Sequence, residues 1–135
     1  MALINWGPML YVGVKEIDDQ HQKLVELVNQ LNDAMQAGQG KTALQTVLNE
    51  LVRYTQYHFG TEERLMGQHK YEASAAHKDE HKKFVADVSA FKIKFDSGNA
   101  MISTEIMNFL RDWLSKHILQ TDKKFAKSLN ALGVK

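Results

Sequence analysis

The chain has 135 residues, 44% of them hydrophobic and 24% charged, which suits one domain with a core of its own. Its 17 basic and 16 acidic residues are well mixed and leave a net charge of +1, so nothing argues for a nucleic-acid or membrane-surface partner. Cysteine is absent, which excludes disulfides, thiolate catalysis and thiolate-bound clusters and leaves His, Asp and Glu as the available metal ligands.

The opening stretch MALINWGPMLYVGV lacks a basic region and a long apolar run, and Pro8 interrupts it. Neither a signal peptide nor membrane insertion is expected, and the cytoplasm is the expected location. Residues 1–18 show no helical period and should form an extended arm, with Trp6, Tyr11 and Val14 covering part of the helical body.

Four helical patterns come next. The first, Asp19–Ala37, carries His21, Leu24, Val25, Val28, Leu31 and Met35 at spacings of three and four, with Asp18 or Asp19 as its N-cap. The second, Lys41–Met66, lines up Leu44, Val47, Leu48, Leu51, Tyr54, His58, Glu62 and Leu65. The third, Ser74–Phe95, has Ser74 as its expected cap and a stripe of His77, His81, Phe84, Val88, Phe91 and Phe95. The fourth, Ser103–Asn130, carries Ile106, Phe109, Leu110, Trp113, His117, Phe125 and Leu129. Gly38, Gly40, Gly67 and Gly98 punctuate the boundaries, and the connections are short. Short connections make neighbours antiparallel, so the expected fold is an all-α, up-down-up-down four-helix bundle, one domain over 1–135.

In that bundle the first and third helices begin where the second and fourth end. His21, His58, Glu62, His77, His81, His117 and Asp122 therefore converge at one end, on faces that otherwise bury apolar side chains. A lone inward histidine is ordinarily a hydrogen-bonded core residue. Seven converging polar groups are different. Burying them without a shared partner would cost more than a typical folding stability of ~5–15 kcal/mol. Imidazoles with carboxylates suit a first-row transition metal.

Seven ligands exceed what one ion takes, so two octahedral ions sharing bridges fit better. His77 and His81 lie one turn apart and reach one ion together with His117; His21 and His58 hold the other; Glu62 and Asp122 bridge both. With one solvent-derived oxo or hydroxo bridge, the three-histidine ion has six ligands and the two-histidine ion five, leaving a single open position. One spacing is awkward. His117 and Asp122 are five apart, about 140° around an ideal α-helix. Either a π-like widening realigns them or Asp122 reaches in from a helix edge. His69 and Glu63 are read as surface residues.

His21, HFGTE at 58–62, HKDEH at 77–81 and HILQTD at 117–122 together resemble the hemerythrins, and the chain is similar to single-domain bacterial members over nearly all its length. NWGPMLYVGVKEIDDQH is similar to that family's N-terminal segment; related chains often carry proline after the tyrosine where this one has Tyr71-Glu72. The resemblance implies two iron ions, Fe2+ or Fe3+, that bind dioxygen reversibly, end-on at the five-coordinate iron as a hydroperoxide. It implies oxygen carriage, storage or delivery by a monomer that is not an enzyme. The alternatives are a di-iron oxidase or peroxidase, or an iron- or nitric-oxide-handling or sensing module on the same site. Five histidines against two carboxylates, without the Glu-x-x-His pattern of carboxylate-rich di-iron enzymes, favour the binder. Trp113, Leu114, Phe59 and Val25 lie within about a turn of the ligands and are expected to supply the apolar lining of the open position.

Overall fold

The computed structural model describes residues 2–135. A short 3-10 turn at Pro8–Leu10 leads into α1 (Lys15–Gln36), α2 (Lys41–Gln68), α3 (Ser74–Asp96) and α4 (Thr104–Lys116); a π-helical segment over His117–Asp122 then joins α4 to α5 (Lys123–Ala131). No strand occurs among the described residues. The backbone stays in the right-handed helical region through both junctions of the π segment, so α4, the segment and α5 form one continuous fourth rod. α1 packs against α2 and α4, and α2 against α3, closing an antiparallel four-helix bundle.

The spacing of apolar residues explains the packing. Leu24, Val25, Leu27, Val28 and Leu31 of α1 are all buried, as are Leu48, Leu51 and Leu65 of α2, Phe84, Val88 and Phe95 of α3, and Leu110, Leu114, Phe125 and Leu129 of the fourth rod. Residues three and four apart share one face, so each helix turns one apolar stripe inward. At the end remote from the histidines, α1 and α3 stop in the same way. Gly38 and Gly98 take left-handed φ angles of 69° and 85°. The next amide then reaches back to close the turn, Gln39 to Ala34 O at 3.1 Å and Asn99 to Lys94 O at 2.8 Å.

Several local expectations are corrected. α1 starts at Lys15, so the arm ends at Val14 rather than at residue 18. Neither Asp18 nor Asp19 caps it. Asp18 instead accepts from the arm, from Val12 N at 2.7 Å and Gly13 N at 3.2 Å, while Ile17 is fully buried in the first turn. The arm's cover comes from Ile4, Leu10, Val12 and Val14, with Trp6 partly buried against the core as expected; Tyr11 instead stays half-exposed, its ring 5.6 Å from that of Trp6. Asn29 fastens the arm by exchanging two 2.9 Å hydrogen bonds with the Ile4 backbone. Gly67 lies inside α2, where buried Leu65 and Met66 hold the last turn against glycine's cost of about 1 kcal/mol. Ser74 is the first residue of α3 and makes no capping bond, whereas the Ser103 hydroxyl caps α4 by accepting from Ile106 N at 3.3 Å. Phe109 sits at the edge of the fourth rod, 40% exposed, and the buried line runs through Met107, Leu110 and Leu114. Among the described residues, no helix is long and apolar enough to cross a membrane.

Candidate metal centre

His21 stands in the second turn of α1, His58 and Glu62 in the later half of α2, His77 and His81 in the first two turns of α3, and His117 and Asp122 at the two ends of the π segment. All seven are buried, Glu62 and Asp122 completely. The π segment answers the five-residue spacing: bonding from i to i+5 widens the turn until its two ends share a face. The His117 Nε2 to Asp122 Oδ1 distance is 3.0 Å.

The donor atoms form two overlapping groups. One contains His77, His81 and His117, the other His21 and His58, and Glu62 and Asp122 belong to both. Asp122 places Oδ1 3.0 Å from His77 Nε2 and Oδ2 2.9 Å from His21 Nε2. Glu62 places Oε1 3.0 Å from His81 Nε2 and Oε2 3.4 Å from His58 Nε2. These approaches are close, yet both Glu62 oxygens, both Asp122 oxygens and the Nε2 atoms of His21, His58 and His77 are buried without a hydrogen bond among the described residues. Buried polar atoms are ordinarily paired. Donors aimed at shared centres rather than at one another leave this pattern, and the set fits metal ions.

The far sides of three rings show that Nδ1 carries a proton. His58 Nδ1 donates to Gln20 Oε1 at 2.7 Å, and Gln20 in turn donates to Thr61 at 3.2 Å. His81 Nδ1 donates to Glu63 Oε2 at 3.0 Å, and His117 Nδ1 to Glu80 Oε1 at 2.9 Å. A neutral imidazole that donates through Nδ1 offers a bare lone pair at Nε2. His81 and His117 bring these Nε2 atoms within 3.1 Å of each other, a repulsive meeting unless a cation or proton lies between. The supports follow a rule around the bundle. Gln20 of α1 holds the histidine of α2, Glu63 of α2 holds one of α3, and Glu80 of α3 holds that of the π segment.

None of these three supports is apparent from spacing. Glu63, expected to be solvated, is partly covered and bonded to His81. The available signal is adjacency: each support flanks a ligand in sequence, beside His21, Glu62 and His81. His69 closes α2 as its C-cap and belongs to neither donor group.

Electrostatics match this arrangement. Burial alone would lower the pKa of His21 and His77, but the facing Asp122 and Glu62 outweigh it and raise each to about 9. His117 is raised too, against the same burial, chiefly by Asp122. Burial acts to raise Glu62 and Asp122, yet the surrounding histidines hold both below the ordinary carboxylate range. Without metal, protons on His21 and His77 would offset the charge of the two carboxylates. Metal ions would take the place of those protons.

Phe59 stacks on His81 with ring centroids 3.8 Å apart and planes 4° from parallel, and Trp113 stacks on His117 at 4.5 Å and 13°. Both rings thus lie against the three-histidine group. Val25 and Leu114 are buried, one turn further into the bundle than His21 and His117 respectively.

Fold and site define a four-helix bundle with a histidine–carboxylate metal centre at one end of its core. The model of the hemerythrin HHE cation-binding domain matches residues 12–129. A bacteriohemerythrin of Pseudomonas aeruginosa is 37% identical over 129 residues, which cover 96% of this chain and 83% of that protein. The bacteriohemerythrin of Methylococcus capsulatus is 35% identical over 132 residues, 97% of this chain and all of the relative. A crystal structure of wild-type hemerythrin superposes with a TM-score of 0.88 at 35% identity, covering 95% of this chain and 98% of that one. The chain belongs to the hemerythrin family.

Proposed function

We propose that the centre holds two iron ions with an oxo or hydroxo bridge and binds dioxygen reversibly, for carriage, storage or delivery rather than for catalysis. The observation that carries this is the three-to-two division of five histidines around two shared carboxylates. His77, His81 and His117 would hold one iron, His21 and His58 the other, and Glu62 and Asp122 both. The irons supply the electrons on which reversible dioxygen binding draws. The protein's part is restraint. Gln20, Glu63 and Glu80 lock three ring tautomers, and Phe59 and Trp113 clamp two ring planes.

Val25 and Leu114 would face the two-histidine iron with apolar surface, keeping water and proton donors from bound oxygen. General-acid chemistry needs a donor within hydrogen-bond reach of that oxygen, and neither side chain offers one. The test is an optical spectrum of the iron-loaded protein through cycles of deoxygenation and re-aeration. Reversible colour change supports the reading. A single irreversible oxidation, or turnover of an added reductant with peroxide, overturns it in favour of a di-iron oxidase or peroxidase.

A further inference from the structure

The supports behind the ligands are unequal. Behind the three-histidine group stand two carboxylates: Glu63 accepts from His81 Nδ1 at 3.0 Å and Glu80 from His117 Nδ1 at 2.9 Å. Behind the two-histidine group stands one neutral amide, the Gln20 oxygen on His58 at 2.7 Å; His21 Nδ1, like His77 Nδ1 in the other group, has no partner among the described residues. Neither carboxylate is adventitious. Glu80 is also bound by the Thr121 hydroxyl at 2.9 Å, which ties α3 to the π segment. Glu63 holds a ring whose plane Phe59 already fixes.

A carboxylate accepting from the far nitrogen of a metal-bound imidazole makes that imidazole the stronger electron donor. A neutral amide does so less, because charge-assisted hydrogen bonds are roughly twice as strong as neutral ones. Stronger donation favours Fe3+ over Fe2+. We infer that Glu63 and Glu80 are positioning residues that make the iron held by His77, His81 and His117 the first of the pair to lose an electron. This rests on the two-iron reading above. In the step concerned, that iron passes one electron to an outer-sphere one-electron acceptor and goes from Fe2+ to Fe3+; no bond breaks, and each Nδ1 proton stays in its hydrogen bond. The iron held by His21 and His58 keeps its electron until the second step. An entering oxidant therefore meets a pair whose two members are already unlike, because the shells behind them differ.

The experiment uses the full iron-loaded chain and measures the midpoint potential of each one-electron step, with ferricyanide as the acceptor. Glu63→Gln and Glu80→Gln keep side-chain shape and a hydrogen-bond acceptor. Each should raise the first potential by about 59 mV, a tenfold loss of preference for Fe3+, while the second moves less. Gln20→Glu should act in the other direction, lowering the second potential and bringing the steps together. Glu16→Gln, at a half-exposed surface pair with Arg64, should change neither. Competition with a chelator for cobalt(II) gives a readout free of redox chemistry: the two carboxylate variants should weaken one of two sites about tenfold and spare the other.

Equal shifts in both steps, or less than a threefold change in Fe3+ preference, overturn the inference. If the pair forms and binds dioxygen reversibly yet the variants leave the potentials alone, this inference alone falls. If the potentials shift as stated but dioxygen binds irreversibly, the functional reading alone falls. A chain that holds no iron pair ends both.

Discussion

Removing the metal should reverse the sign of the protein's response to pH. In the metal-free chain, His21 and His77 have pKa values of about 9 against an ordinary 6.5. Groups raised on folding contribute stability that is fully present below the unfolded value and is lost as pH climbs through the folded one. Glu62 and Asp122 are shifted the opposite way, from 4.5 and 3.8 downward, so their contribution is lost as pH falls. The centre therefore supports the metal-free fold best between about pH 4.5 and 6.5. A rise from 6.5 to about 9 corresponds to about 3–4 kcal/mol at about 1.4 kcal/mol per unit; His21 and His77 lean on the same two carboxylates, so the pair is counted once. At about 4 °C per kcal/mol for a chain of this size, the metal-free melting temperature should drop by about 14 °C between pH 6.5 and 9.

The loaded protein should behave oppositely, because a metal needs the same Nε2 atoms free of protons, and loading near neutral pH should release about two protons per chain. Paired melts in chelator and in excess metal, followed by circular dichroism across this interval, measure both arms. Asp122→Asn should flatten the metal-free slope, since Asp122 lies 2.9 Å from His21 and 3.0 Å from His77. A metal-free melting temperature that stays level or rises from pH 6.5 to 9 would refute the charge balance drawn for the centre.

Three single side chains carry further expectations. Gln20→Leu leaves His58 Nδ1 buried without its acceptor, so metal affinity should fall about tenfold or more in chelator competition and stability by about 1–3 kcal/mol. Leu114→Asp should speed autoxidation of the oxygenated form by introducing a charge or proton source; an unchanged decay of its absorption band in a folded, iron-loaded variant would count against Leu114 facing bound oxygen. Phe125→Ala removes a fully buried ring that meets His77 edge-on at 5.5 Å and Tyr71 at 4.7 Å, and urea unfolding should register a loss of about 3–5 kcal/mol.

The four rods and the seven inward polar groups were legible because they share one code. A hydrophobic stripe of period 3.6 says where an apolar side chain belongs, and a histidine or carboxylate in that place stands out. His58 and Glu62 interrupt the α2 stripe in this way, and His77 and His81 open that of α3. The start of α1 was not legible. Its signal was an aspartate near the first turn, and Asp18 spends its oxygens on Val12 and Gly13 of the arm, a tertiary choice that no local rule anticipates.

The His117–Asp122 spacing was a different kind of signal. It broke the period between two residues that had to share a site, and a break of that sort has few physical remedies. The π segment is one of them, and it shows in the backbone alone. The supports lay deeper still. An acid on the outer half of a helix reads as solvated, and Glu63 and Glu80 look no different from their neighbours until the ring of the adjacent helix is in place. Yet Gln20, Glu63 and Glu80 each flank a ligand of their own helix and serve a histidine of the next. A side chain one residue from an inward ligand points about 100° around the helix, toward the seam with the neighbouring rod. There it meets the back of a ring whose front faces the metal. Polar residues beside inward ligands are thus the places where a sequence can be searched for the second layer of such a centre.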